Sequence, residues 1–348
     1  MRAYLDWNAT TPLRDEARAA MIAAMDVAGN PSSVHAEGRA AKMALEGARE
    51  RLAAALGAEG ADVVFTSGTT EAAAMALAGR GIACAPVEHS AVKVWCDQRL
   101  TVDRDGRVTV DDPAQSTLQL ASNETGVIQD LPDGLWASDL TQAFGKIPMA
   151  FNWLGVTCGF VSAHKLGGPR GVGALILKKG TDLPAILRGG GQEQGRRAGT
   201  ENLIGIMGFA AAAEAAQRDL AAGVWDQVAA LRDALESRLT AVAPELIVAG
   251  KGSPRLPNTS CLLTSGWKGE TQVMQMDLAG FAVSAGSACS SGKVRASGSL
   301  QAMGFDDQTA SSAIRVSISP ALAADQVNRF ADAWEKAYSR WRDRNGRG

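Results

Sequence analysis

Histidine is scarce in this chain. His35, His89 and His164 are the only three in 348 residues, so chemistry that needs an imidazole has a short list of candidates. The cysteines Cys84, Cys96, Cys158, Cys261 and Cys289 are few, scattered and odd in number, which excludes a disulfide framework, and no C-x-x-C pair offers a zinc site. No metal centre is expected, and at least one thiol stays free. Long apolar runs are missing too: nothing approaches the roughly 18 residues of a membrane span, and Met1 to Thr11 carries charged and polar residues where a signal peptide needs an apolar stretch. Neither sign of charge dominates. With 35 basic and 37 acidic side chains there is no polyelectrolyte signature, which argues against nucleic acid as the main partner. The expectation is a soluble, cytoplasmic protein with neither a nucleic-acid nor a membrane partner.

What is present is core-forming material. At 46% hydrophobic residues the chain can bury a large interior, and at roughly 100 to 200 residues per domain its length suggests two domains, or one large α/β unit with an appendage. Short β-branched or apolar runs at Asp62–Thr66, Gly81–Pro86, Ser116–Ala121, Thr157–Ser162 and Val172–Leu177 alternate with Ala-rich stretches, the pattern of a sheet with crossover helices. Ala36 to Leu56 reads as a packing helix, with Ala40, Met43, Ala44, Ala48, Leu52 and Ala55 at helical spacing. Further on, a helix over Val224–Leu239, strand-like Leu262–Thr264, Val273–Leu278 and Ile314–Ile318, and a helix over Ala324–Trp341 suggest a smaller α+β unit.

Several stretches could carry chemistry. Val63 to Thr66 leads through Ser67-Gly68 into Thr69-Thr70-Glu71 and a helix; free N–H groups, a positive dipole end and hydroxyls there form a phosphate cradle, although the same residues also serve as an ordinary N-cap. Gly145-Lys146 lacks the earlier Gly and the following Ser/Thr of a Walker A loop, and Ile176 occupies the third glycine position of a dinucleotide fingerprint. Ser162-Ala163-His164-Lys165 ends a strand beside a Gly-rich turn, where a lysine can form a Schiff base or stay a solvated loop residue. In Asp139-Leu140-Thr141-Gln142 the Asp stands three residues before Gln, a capping arrangement at a helix start. Taken in order, a phosphate loop, a His, an Asp and then a Lys match what pyridoxal phosphate needs: a carboxylate to keep the ring nitrogen protonated and a lysine to hold the aldehyde.

Together with Tyr4-Leu5-Asp6-Trp7-Asn8-Ala9-Thr10-Thr11-Pro12, Asn30 to His35, Glu88-His89-Ser90-Ala91-Val92, Asn123-Glu124-Thr125-Gly126-Val127, Gly189-Gly190-Gly191-Gln192-Glu193 and Ala285-Gly286-Ser287-Ala288-Cys289-Ser290, these stretches make the chain resemble the cysteine desulfurases of the nitrogen-fixation and iron-sulfur assembly type. The resemblance runs from residue 4 to about residue 318. It implies the α/β fold of the class V, fold-type I pyridoxal phosphate enzymes, with a mixed, mostly parallel sheet in a large cofactor-binding domain (residues 12–218). A smaller α+β domain, from residues 1–11 and 219–348, would carry the catalytic-cysteine loop.

Carried over by position, the resemblance implies that Lys165 binds the cofactor, Asp139 pairs with the pyridine nitrogen, Gln142 reaches the ring hydroxyl and His89 stacks on the ring. Thr69, Thr70, Ser162 and His164 correspond to the phosphate end, as does Thr200, which such dimers offer to the neighbouring subunit. Asn123 and Arg315 would hold the substrate carboxylate, and Cys289 would take sulfur from L-cysteine as a persulfide, leaving alanine. The other four cysteines sit in apolar contexts and read as core residues. A homodimer and a protein sulfur acceptor, such as an iron-sulfur scaffold, are the implied partners. Selenocysteine lyase, a related class V enzyme, or a non-catalytic scaffold are the alternatives. The chain departs from the family pattern at Trp7, in a segment expected near the active-site mouth, and over Ala296-Ser297-Gly298-Ser299-Leu300; it is also shorter between Glu71 and Glu88 and between Val127 and Asp139.

Overall fold

The computed structural model describes residues 2–286 and 296–346. Four strands form the central ladder: β1 (Asp62–Thr66), β2 (Leu135–Asp139), β3 (Val156–Ser162) and β4 (Gly173–Leu177), in the order β1-β4-β3-β2. β2 and β3 run parallel, while β4 is antiparallel to both β1 and β3. Parallel bridges Thr117–Ala137 and Ala83–Ser116, and the parallel pair Ala83–Cys84 with Asp97–Gln98, extend the sheet beyond β2. The sheet is thus mixed and mostly parallel, with β4 as the reversed strand.

The stretch Ser116–Ala121 makes bridges instead of the expected continuous strand. The reason is a side chain in the ladder: Gln119 N donates to the Glu88 carboxylate, and Gln119 Nε2 donates to Val87 O, so side-chain bonds replace main-chain ones. The expected strand Gly81–Pro86 shortens to Ala83–Cys84, because the chain turns directly after it, with Glu88 N donating to Ala85 O.

Helices α1 (Asp15–Met25), α2 (Ala36–Leu56), α3 (Thr69–Leu77), α4 (Ser90–Lys93), α5 (Leu203–Ala221), α6 (Val224–Val242) and α7 (Ala324–Arg344) accompany the strands. α2 is capped by His35, whose ring accepts from Gly38 N, and ends at Gly57 in the left-handed region, where a side chain would be strained. Its buried stripe is Ala41, Leu45, Ala48, Leu52 and Leu56. Ala40 and Met43, expected inside, face outward, because the stripe that meets α5 is rotated by about one position. Val273–Leu278 is the end of a helix (Gly269–Leu278) and not a strand; it buries Gln272 and Met276, one turn apart, and exposes Met274 and Leu278.

A second sheet, β5 (Ile247–Val248), β6 (Thr259–Leu263), β7 (Ser284–Ala285) and β8 (Ile314–Ser317), has the order β5-β6-β8-β7 and is antiparallel throughout. The N-terminal segment joins this region: Ala3–Tyr4 pairs with Phe281–Ala282, and Asp6 bridges Ser317. One apolar core lies between the central sheet, α2 and α5. Another gathers Leu5, α6, the second sheet and α7, with Trp334 stacked on Tyr338 and Trp267 on Trp341. Trp7 packs against that second core and does not line the cavity described below. Among the described residues no helix is long and apolar enough to cross a membrane.

Candidate active site

Because β1, β2 and β3 point the same way, their C-terminal ends meet at one edge of the sheet, where open α/β folds place their ligands. β1 leads through Ser67-Gly68 to Thr69 and Thr70 at the start of α3; β2 ends on Asp139; β3 ends on Ser162, followed by a tight turn holding His164 and Lys165. Gly173, at the start of β4, pairs with both Thr66 and Ser162. A Cβ at Gly173 would stand 2.6 Å from Gly68 Cα, so only glycine lets the α3 loop approach this closely.

A cavity of about 550 Å³ opens at this edge. It is lined by Thr69, Thr70, His89, Asn123, Asp139, Gln142, Ser162, His164, Lys165 and Arg315, which are scattered over more than 240 positions of the sequence. Thr200 does not line it; that residue is exposed and borders two smaller hollows beside Arg197 and Leu187. Cys289, with Lys293 and Arg295, lies outside the described residues. Gly286 N donates to Ala313 O, and the Ser297 and Ser299 hydroxyls donate to the carboxylate of Glu124, the neighbour of Asn123.

The floor of the cavity is polar and tightly bonded. Lys165 Nζ donates to Asn8 O at 2.6 Å and to Ala9 O at 2.9 Å. Asp139 Oδ1 accepts from Thr141 N at 2.9 Å, and Oδ2 has no hydrogen bond among the described residues. No helix starts there: residues 141–147 form turns, with Ala143 N and Phe144 N both donating to Leu140 O, so the Asp caps a turn and not the expected helix. Thr69 and Thr141 share a hydroxyl contact of 2.6 Å. The start of α3 is braced by Glu71, which accepts from Ser67 N and from Arg197 Nε.

Charge in the site follows burial. His89 accepts from Ala91 N through Nδ1 as the cap of α4, and burial lowers its pKa, with Lys165 adding to the effect and Asp139 opposing it. His164 is pushed down to about 4 by burial and then by the cations of Lys165 and Arg170; its Nδ1 lies 3.1 Å from Thr10 Oγ1. At neutral pH His164 is therefore uncharged. Glu88, 2% exposed and with Oε2 unpartnered among the described residues, is held well above the ordinary carboxyl range by burial and by the proximity of Asp139. Cys158 and Cys261 are buried thiols pushed up to about 12, which suits core packing and not nucleophilic chemistry.

Arg315 sits on β8 opposite Cys261 and Ser284. It does not present an open fork: one terminal nitrogen donates to Asn123 O at 2.9 Å and the other to Asp6 Oδ1 at 2.8 Å, leaving Nε buried and unpartnered among the described residues. Sequence reasoning did not single out Asp6, Asn8, Glu88 or Lys146. The first three stand inside the quoted motifs, their only signal, and Lys146 has none beyond a nucleotide-loop match that fails.

Residues 3–330 match the aminotransferase class-V family. A cysteine desulfurase from Cereibacter sphaeroides is 39% identical, over 95% of this chain and 94% of that protein. The cysteine desulfurase NifS of Azotobacter vinelandii is 35% identical, over 94% and 90%. Among solved structures, a NifS-like protein from Rickettsia africae superposes with a TM-score of 0.87 at 28% identity, covering 97% of this chain and 100% of that one. Matches of this extent, to one family and along nearly the whole chain, mean that the protein belongs to the aminotransferase class-V family, among its cysteine desulfurases.

Proposed function

We propose that the protein is a pyridoxal phosphate-dependent cysteine desulfurase, converting L-cysteine to L-alanine and passing the sulfur on as an enzyme persulfide for iron-sulfur cluster assembly or another thiolation. The observation that carries this reading is the meeting, on one cavity, of a lysine at one strand end, a carboxylate at the next and a hydroxyl-bearing helix start at a third. The residues fit the cofactor. Asp139 keeps one oxygen without a partner among the described residues, and the first turn of α3 has N–H groups that no helical carbonyl can reach. Lys165 would hold the aldehyde, Asp139 the ring nitrogen, Gln142 the ring hydroxyl and His89 the ring face. Thr69, Thr70, Ser162 and His164 would hold the phosphate, joined by Thr200 of a neighbouring subunit. When bound, the cofactor supplies an electron sink for chemistry at the substrate α-carbon.

The chain's own residues do the rest. Arg315, steadied by Asp6 and Asn123 O, brings its buried cation to the substrate carboxylate, with the Asn123 side chain beside it. Lys165 takes and returns the α-proton. The part of Cys289 rests on the family resemblance: its thiolate forms a sulfur-sulfur bond as the substrate carbon-sulfur bond breaks, and the carbon gains a proton to give alanine.

The same reading makes the protein a cytoplasmic homodimer that hands sulfur to a protein acceptor; the exposed position of Thr200, away from the cavity of its own chain, supports the dimer. The division into residues 12–218 on one side and 1–11 with 219–348 on the other is supported by two of the apolar cores, one drawn almost entirely from residues 17–216 and the other from Ala3, Leu5 and residues beyond 219, while a further core packs Ala83, Val87 and Leu100 against Ala249, Leu263 and Leu300 where the two sides meet. A visible spectrum before and after adding cysteine, with alanine and sulfide assayed in the same tube under thiol reductant, tests the function. An imine band that shifts while alanine accumulates over many turnovers is expected. A protein that stays colourless and inert after pyridoxal phosphate is supplied would reject the reading, and a Cys289→Ala variant with full turnover would reject the persulfide step alone.

A further inference from the structure

Beneath the cavity lies a second lysine that the proposed chemistry does not use. Lys146 is 2% exposed, in the turns that follow β2, and does not line the cavity, so it is no rival to Lys165 for the cofactor. Its Nζ donates to two uncharged acceptors, Gln142 Oε1 at 2.6 Å and Asn8 Oδ1 at 3.0 Å. Among the described residues no carboxylate pairs with it; the charges that reach it belong to Lys165 and Arg315, and burial followed by these two cations lowers its pKa far below the usual lysine value. Among the described residues its amine thus has two side-chain acceptors, both amide oxygens. Its polar end is costly to bury, and only these two bonds offset that cost.

What the bonds fix can be followed atom by atom. With Oε1 of Gln142 committed to Lys146, the amide can point its Nε2 only the other way, where it donates to Asn8 O at 2.9 Å. That same carbonyl accepts from Lys165 Nζ. Asn8 is 1% exposed and bonded at every polar atom. Its N donates to Ser317 Oγ and its Nδ2 to Thr259 Oγ1, while Oδ1 also accepts from Asn258 Nδ2. Residue 8 is therefore immobilised from the second sheet, and Gln142 is immobilised from below.

We propose that Lys146 is a positioning residue, which orients the Gln142 amide and through it the carbonyl that Gln142 and Lys165 share. The inference rests on the reading of Gln142 and Lys165 as cofactor residues and assigns the residue that holds the first of them in place. It makes a specific demand: Lys146 should matter only while Gln142 is present to be oriented.

A four-protein comparison tests it, by titrating pyridoxal phosphate into the full chain stripped of cofactor and following the imine absorbance. Lys146→Met is expected to weaken cofactor binding about tenfold in the otherwise unchanged protein, the size of one lost hydrogen bond, and by less than about twofold in a Gln142→Ala background. Equal losses in both backgrounds, or no loss in either, would overturn the proposal, since a purely structural role for Lys146 gives additive effects. Should Lys146→Met lack a cooperative thermal transition, Lys146→Gln, which keeps a donor on a shorter arm, replaces it in the same comparison under the same criterion. Failure of the cofactor reading shows separately: the unsubstituted chain then takes up no pyridoxal phosphate, and both readings fall before any variant is measured.

Discussion

The cavity has two sides that are built differently. Its floor, Thr69, Asp139, Ser162 and Lys165, comes from strand ends of a single sheet, so main-chain ladders set the spacing and the side chains only have to point outward. Its roof, Asp6 and Arg315 with Asn123 O, is assembled from three segments, and Asp6 and Arg315 are 309 residues apart. A few polar side-chain contacts hold that arrangement. The floor is therefore rigid by default, whereas the roof is only as well placed as its ion pair. Asn8 stands where the two meet, taking bonds from Gln142, Lys146 and Lys165 below and from Asn258 above, and donating to Thr259 and Ser317. The difference suggests a division of labour in which floor substitutions change the handling of the cofactor and roof substitutions change the handling of the substrate.

The largest effect belongs to the floor. Lys165→Ala removes both the covalent anchor and the group that moves the α-proton, and alanine formation from cysteine is expected to fall by roughly a hundredfold to ten-thousandfold. The imine absorbance should vanish with it. A Lys165→Ala protein that kept the band would put the anchor elsewhere and break the assignment of the floor.

Next comes the roof. Asp6→Asn keeps the shape but removes the charge that pairs with Arg315, a contact whose side chains are 17% and 6% exposed. The expected result is a KM for cysteine raised about tenfold, as a charge-assisted bond is weakened, with cofactor affinity unchanged. Steady-state kinetics beside a cofactor titration measure both. If the substitution loosens the cofactor as much as it raises KM, the two sides are not separable and the comparison fails.

The floor was the legible side because its signals are local. A strand followed by Gly and hydroxyl residues, an Asp at a strand end and a His-Lys pair before a Gly-rich turn each span fewer than ten residues, and they remain in reach of one another once the sheet forms. The roof could not be read in this way: nothing near Asp6 in sequence announces Arg315, and nothing near Asn8 announces Lys146, 138 residues on. Elements failed where short apolar runs fit two periods. Val273, Met276 and Leu278 read as a strand until burial of Gln272 and Met276 shows the helical face. Ser116–Ala121 read as a strand because its residue types are right, but the inserted side chains of Glu88 and Gln119 interrupt the ladder.

Glu88 provides the smallest and most specific test, because it lies at the joint between the sheet and His89 of the site. Its carboxyl is raised above its ordinary value first by burial and then by Asp139, so the folded protein holds a proton there that the unfolded chain releases. The sign follows from linkage: where the folded state binds more protons than the unfolded one, stability falls as pH rises. Glu88 should therefore cost nothing below the ordinary carboxyl pKa. Its cost should grow as the pH climbs from there toward the raised folded value and level off beyond it. Glu88→Gln keeps an oxygen for Gln119 N and cannot ionise. Urea unfolding at several pH values should then find the variant and the parent nearly equal in acid, with the variant gaining relative stability as the pH is raised. A difference that stayed flat with pH would mean that burial does not hold a proton on Glu88 in the folded protein, and the raised carboxyl would have to be given up.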